Sequence, residues 1–334
     1  MKLPGLRLLS LSTAAFVASA QAPQPRPPAP PLLPPVDYQL GTAARSADSK
    51  PPASRKIDYK LQIALLPSAQ YRPVPYELFH GVLLFQARLD GQDVWAMLDN
   101  GSGTTVIDAA FLRSRGFALG SPLDKVRTPT GSIDRWRAPD VPIEVPGEMT
   151  ISGAAFAADL SSIAKLSGRP ISVVLGKELF DNLVLLVRPA QRNFVLAPSG
   201  SFTPSADART VELKGDKPQL TATIDGQSLL LALDLGDAAK VTLGKSAWAS
   251  LGLDDKATLQ GRSANVDAKL YSTKETYVDR VKLGPVLVEH VLVTQAPELP
   301  EDGDGRLGLG FLSQFTFAID VKKRTLWLMP KPGG

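Results

Sequence analysis

A chain of 334 residues, 44% apolar and 21% charged, has ample length for more than one hydrophobic core and is too apolar to be a disordered polymer. It has no cysteine, which excludes disulfides, thiolate nucleophiles and cysteine-ligated metals. A formal charge of +4, without an aromatic-interleaved basic patch, excludes a nucleic-acid binder, and two histidines are too few for a histidine-rich metal site.

Taken in chain order, Lys2 and Arg7 precede a short apolar stretch from Leu8 to Val17 that ends in Ala18-Ser19-Ala20. Charged start, apolar middle and small-residue exit read as a secretory signal peptide over 1–20, and so as a periplasmic or secreted product. No later stretch has membrane-spanning length, so no stable membrane insertion is expected after cleavage. Residues 21–56 read as a disordered linker, because eight of the thirteen residues from Pro23 to Pro35 are proline.

From residue 57 the pattern becomes that of short strands with frequent turns, an all-β chain with few short helices. Residues 63–66 read as a strand, one shared between two halves. Val82–Leu89 and Gln92–Leu98 flank Asp90-Gly91 as a tight hairpin that ends at Asp99-Asn100-Gly101-Ser102. Residues 104–107 then read as a strand, 109–115 as a helix ended by Gly116, 126–132 as a turn between extended segments, and 160–166 as a further short helix. After a linker at 200–207, strands at 220–224 and 228–233 flank Asp225-Gly226-Gln227 and end at Asp234-Leu235-Gly236-Asp237. A helix is expected at 245–251. Glu301 to Gly305 lacks calcium-loop spacing and reads as an exposed turn.

The two halves are in register. The hairpin turns lie nine residues before Asp99 and nine before Asp234, and Val106 and Val241 each follow their aspartate by seven. Gly176 and Gly308 open matching tails, each 22 residues before a proline, Pro198 and Pro330. A single Asp-x-Gly is an ordinary turn, but two in one register point to a tandem duplication, with halves at 57–199 and 207–331.

An apolar strand ending in Leu-Asp-x-Gly, followed much later by apolar-apolar-Gly at Val174-Leu175-Gly176, with Leu307-Gly308 in the second half, resembles the retropepsin-like and pepsin-like aspartic peptidases. The resemblance covers most of 75–330. It implies two tandem acid-protease β-barrel lobes related by a pseudo-two-fold axis, with Asp99 and Asp234 meeting at that axis as the catalytic pair. It also implies that Asn100, Gly101, Ser102, Leu235, Gly236 and Asp237 border the pair. Thr130 and Gly131 would belong to a flap hairpin closing over substrate, with 260–263 as its second-half counterpart. The family usually carries Thr or Ser directly after each aspartate, to tie the two loops together; this chain carries Asn100 and Leu235. Asn100 retains an amide that can hydrogen-bond, whereas Leu235 can only pack. Asp237 adds a third carboxylate, which either raises the pair's pKa or is neutralised by Lys240.

Two carboxylates sharing one proton can activate a water and polarise a peptide carbonyl with neither metal nor cofactor. The expected function is therefore an aspartic endopeptidase, monomeric, acting on a peptide or protein substrate. A peptide-binding module with an impaired pair is the alternative, and a purely structural β protein a third reading. His80 and His290 are isolated and read as structural.

Overall fold

Alternation of apolar and polar residues decides the secondary structure. In Gln219–Ile224 every second side chain is buried, and Gln227–Asp234 continues the pattern from Leu229 to Asp234. The computed structural model describes residues 61–66 and 72–330, apart from 124, 129–130, 154, 216, 257, 265–269 and 297–302. These residues belong to one compact unit, 57–334. The expected signal peptide and proline-rich linker lie outside them. The fold is mostly β-strand, and no α-helix among the described residues exceeds seven residues.

The hairpin of Val82–Leu89 and Gln92–Leu98 pairs from Leu84 opposite Met97 to Leu89 opposite Gln92. Its turn residues Asp90 and Gly91 have φ of 51° and 70°, and Asp225 and Gly226 repeat this at 44° and 93°. Such turns twist in the sense that paired strands require. Beyond the hairpin, Gln92–Leu98 pairs in parallel with Ile171–Leu175. That strand pairs antiparallel with Val106–Asp108, which in turn pairs in parallel with Phe156–Ala158.

The second half contains the same sequence of pairings. Gln227–Asp234 pairs antiparallel with Gln219–Ile224 and in parallel with Gly305–Gly308. Gly305–Gly308 pairs antiparallel with Val241–Leu243, and that strand pairs in parallel with Val286–Gln295. Here the long strand Leu270–Leu283 pairs with both Val286–Gln295 and Gln219–Ile224, closing a six-stranded β-barrel. Leu231, Val241, Val293 and Leu307 fill it, and the fully buried Trp248 of the helix Lys245–Ser250 packs into the same core. Among the described residues no strand pair closes the first set into a ring: its path ends at Arg135–Arg137. Pro139 and Pro142 interrupt the chain just beyond that strand and remove two backbone donors.

One sheet joins the halves. Leu183–Arg188 pairs antiparallel with Thr316–Asp320, and each is backed by its own hairpin partner, Asn193–Pro198 and Thr325–Met329. Leu186 sits opposite Ala318, a separation (318 − 186 = 132) equal to that between Gly176 and Gly308 (308 − 176 = 132). Leu185 faces Ile319 and Val187 faces Phe317, so the register is symmetric about that pair. Asp320, fully buried, accepts hydrogen bonds from the Ser199 hydroxyl and the Gly200 and Lys323 amides, fastening the start of the 200–207 connection to the far strand.

The expected helices occur as Ala109–Ser114, Ser161–Ser167 and Lys245–Ser250. Asp108 caps the first by accepting from the Phe111 amide, and Gly116 beyond its end has a φ of 80°. Gln62–Leu65 is a strand, but not one shared between halves: it pairs with Met149–Ser152 of the first half. Of the expected exposed turn at 301–305, Glu301 and Asp302 lie outside the described residues; Gly303 is exposed, and the half-buried Asp304 accepts from the Leu230 amide at 2.8 Å.

Phe317 is fully buried at the joining sheet. Phe317→Ala should cost about 3–5 kcal/mol in urea unfolding, through one transition lowered for the whole unit. Two separate transitions, with one unshifted, would contradict a shared core.

Candidate functional site

Asp99 and Asp234 each leave the end of an inner strand, and each is held by the loop that follows it. The Asp99 amide donates to Leu175 O at 3.0 Å, while its carboxylate Oδ1 accepts from the Gly101 amide at 2.9 Å and the Ser102 amide at 3.2 Å. Asp234 Oδ1 accepts from the Gly236 amide at 2.9 Å. The backbone carbonyls of the third residues, Ser102 and Asp237, accept from the Lys177 and Leu309 amides, each directly after a tail glycine. Those glycines are required by close approach: a Cβ on Gly176 would lie 2.2 Å from Thr104 O, and one on Gly308 2.2 Å from Ala239 O.

The two loops meet. A Cβ on Gly101 would lie 2.7 Å from Asp234 Oδ1, and a Cβ on Gly236 would lie 2.6 Å from Asp99 Oδ1. Each carboxylate thus rests against the glycine of the other loop, and any side chain there would displace it.

Asn100 ties the loops. Its Nδ2 donates to Leu233 O at 2.6 Å, and its Oδ1 accepts from the Leu235 amide at 2.7 Å, all of it buried. One side chain therefore holds the backbone on both sides of Asp234. Leu235 does not reciprocate; it is fully buried in the core.

Burial raises both acids. Asp99 is raised chiefly by loss of solvent, against the Gly101 and Ser102 amides and the charge of Arg306, with Asp237 adding a small upward push. Asp234 is pushed up to about 7, first by burial and then by repulsion from Asp99, while Arg306 opposes the rise. Both carboxyls are thus held above the usual carboxylate range, and each favours its protonated form more than a free aspartate does. Asp237 adds its repulsion from a distance, since its own carboxylate is occupied by the Ala239 amide and the Thr242 hydroxyl rather than by Lys240.

Of the other expected site residues, Ser102 donates its hydroxyl to Thr104 O. Gly131 starts the strand Gly131–Ile133, paired with Val126–Thr128 in a separate two-stranded ribbon. Thr130 lies outside the described residues. The strand Leu259–Ala264, covering 260–263, is the outer partner of Leu270–Leu283. His80 occupies a hairpin turn, and His290 stacks on Tyr277 with ring centroids 4.1 Å apart. Among the described residues, no group of three or more His, Cys, Asp or Glu side chains is arranged to hold a metal, and no helix is long and apolar enough to cross a membrane.

Two residues that border the site were not singled out in the sequence. Arg306 places Nη1 3.6 Å from Asp234 Oδ2. Its signal was present in the comparison of tails, where Arg306-Leu307-Gly308 stands against Val174-Leu175-Gly176. Glu178 accepts from the Thr105 amide and from both the Thr104 and Thr105 hydroxyls, bracing the strand that leaves the Asp99 loop. Gly310 stands at the same offset in the second half, so no repeated pattern marked it.

No family model matches the chain, and no curated protein is significantly similar to it in sequence.

Asn100→Ala leaves two buried backbone groups unpaired. It should lower stability by about 1–3 kcal/mol per group, measured by chemical denaturation; a loss well under 1 kcal/mol would mean that the tie contributes little. Asp234 gives a second expectation. In the unfolded chain its pKa returns to 3.8, so between there and about 7 the folded state holds more protons. Its contribution therefore favours folding at low pH and is lost as pH rises through about 7. Wild-type Tm should gain relative to Asp234→Asn on going from about pH 8 to about pH 5, and parallel Tm curves would refute the raised pKa.

Proposed function

We propose that the chain is an exported aspartic endopeptidase, in which a water between Asp99 and Asp234 attacks the peptide bond. The single observation that carries the reading is the reciprocal packing of Gly101 on the Asp234 carboxylate and Gly236 on the Asp99 carboxylate. Reciprocal contact of this kind brings two acids to one point from equivalent loops, and it has no evident use in a β protein that merely bears load. The matched strand pairings and the symmetric register about Leu186 and Ala318 support a tandem duplication of a retropepsin-like unit about an approximate two-fold axis. The charged, apolar and small-residue pattern of 1–20 supports export to the periplasm or beyond.

In this reading the ionised carboxylate takes a proton from the water while the protonated one donates to the scissile carbonyl oxygen. The hydrated carbonyl then collapses as a proton passes to the leaving amine, and the pair returns to its single-proton state. Backbone amides of Gly101, Ser102 and Gly236 hold the two carboxylates in place, so no side chain has to be ordered during the reaction.

A second reading, a peptide-binding module that does not cleave, is favoured by Leu235, which withholds the reciprocal tie, and by Arg306, which brings a cation against the pair.

The test is cleavage of an unfolded polypeptide from acidic to neutral pH. Wild type should cleave, and Asp99→Asn and Asp234→Asn should each lose about 10²–10⁴ in rate or more while remaining folded by circular dichroism. An inert wild type that still binds peptides would replace the peptidase with the binding module.

A further inference from the structure

The faces on either side of the pair are unlike. Alternation along Gln92–Leu98 puts Trp95 and Met97 on the same side as Asp99, and alternation along Gln227–Asp234 puts Leu230 and Ala232 on the same side as Asp234. Beside Met97 on the adjacent parallel strand stands Val174, and the two belong to an apolar cluster with the partly exposed Val82, Trp95 and Ile163. Beside Ala232, at the equivalent position, stands Arg306. Its side chain is 26% exposed, and that of Asp234 is 14% exposed, so solvent reaches both.

At 3.6 Å the contact with Asp234 is longer than a charge-assisted hydrogen bond of about 2.7–2.9 Å. It is made by one terminal nitrogen of a group that carries five donors in a planar fork. The fork suits a second carboxylate, taken side-on by two parallel N–H groups. Asp234 is the only ion-pair partner of Arg306 within 4.0 Å among the described residues, and a partly buried cation attracts an anion more strongly than one in open water.

We propose that Arg306 determines specificity: the protein selects polypeptides carrying Asp or Glu on the Asp234 side of the scissile bond. This rests on the peptidase reading. A peptide lying across both carboxylates meets the guanidinium on the Asp234 side, whereas the equivalent residue of the other half, Val174, is apolar and buried, so the peptide's orientation is fixed by a charge at one end. Arg306 acts on the substrate's side chain and takes no part in proton transfer.

The experiment is a set of peptides identical except for Glu or Gln, placed in turn at three positions on each side of the cleaved bond. Wild type should prefer Glu by about tenfold or more in kcat/KM at one side only, and added salt should shrink the preference. In Arg306→Leu, which matches the apolar residue of the other half, the Glu-to-Gln ratio should fall to about one whatever the absolute rate, and Arg306→Lys should recover part of it. An unchanged ratio in Arg306→Leu overturns the inference, as does an equal gain for every peptide, which would make Arg306 a brake on the acids. If wild type cleaves nothing, the peptidase reading fails, and binding decides the inference separately. Asp99→Asn should bind the Glu peptide more tightly than the Gln peptide, and the preference should vanish when Arg306→Leu is added. Equal binding of the two peptides overturns the selection of acidic side chains by itself.

Discussion

The site depends on the carboxamide of Asn100. It reaches from the loop of one half into the backbone of the other, giving a hydrogen to the carbonyl before Asp234 and accepting one from the amide after it. A planar group with a donor and an acceptor side by side suits this task, because the two backbone groups flank a single residue. Both ends are buried, so each bond is made where water cannot compete and each loss leaves a polar group stranded. The orientation of Asp234 is thereby set by the chain segment that carries Asp99. On the opposite side Leu235 contributes only volume, so the coupling runs through one side chain instead of two.

Around that tie the charges are balanced unequally. Asp99 keeps two backbone amides on one oxygen, whereas Asp234 keeps one amide and the more distant Arg306. Burial acts on both and dominates, which is why the acids rise despite the cation. Asp237, whose charge adds only a minor upward push on both acids, is restrained by the Ala239 amide and the Thr242 hydroxyl. A third carboxylate can stand three residues from Asp234 because the loop supplies its donors locally.

Local features were legible in the sequence because they rest on local chemistry. Asp90-Gly91 and Asp225-Gly226 announce their hairpins, Gly116 ends its helix, and alternation identifies the strands that deliver the acids. Pairing between distant strands was not legible. Gln62–Leu65 has the right residues for a strand, but nothing in them names Met149–Ser152 as its partner. Val74–Phe79 is hidden by Pro73 and Pro75, although Pro75 needs no donor at the place where it faces Asn193. The amide of Asn100 could be recognised as capable of bonding, but its two partners lie 133 and 135 residues away. Arg306 could be found only by setting one half against the other, because alone it is one arginine among many surface cations.

The joining sheet has a consequence for timing. Asp99 is made early, but its counterpart is 135 residues further on (234 − 99 = 135), and the strand that pairs with Leu183–Arg188 ends only at Asp320. Until residue 234 is made, a growing chain therefore has one acid, no Asn100 bridge and an open strand edge at 183–188. Contacts of such long sequence separation also form slowly. The two acids are brought together only once the chain has been made as far as Asp320 and the joining strands pair, and a product ending before Asp234 would carry one acid alone.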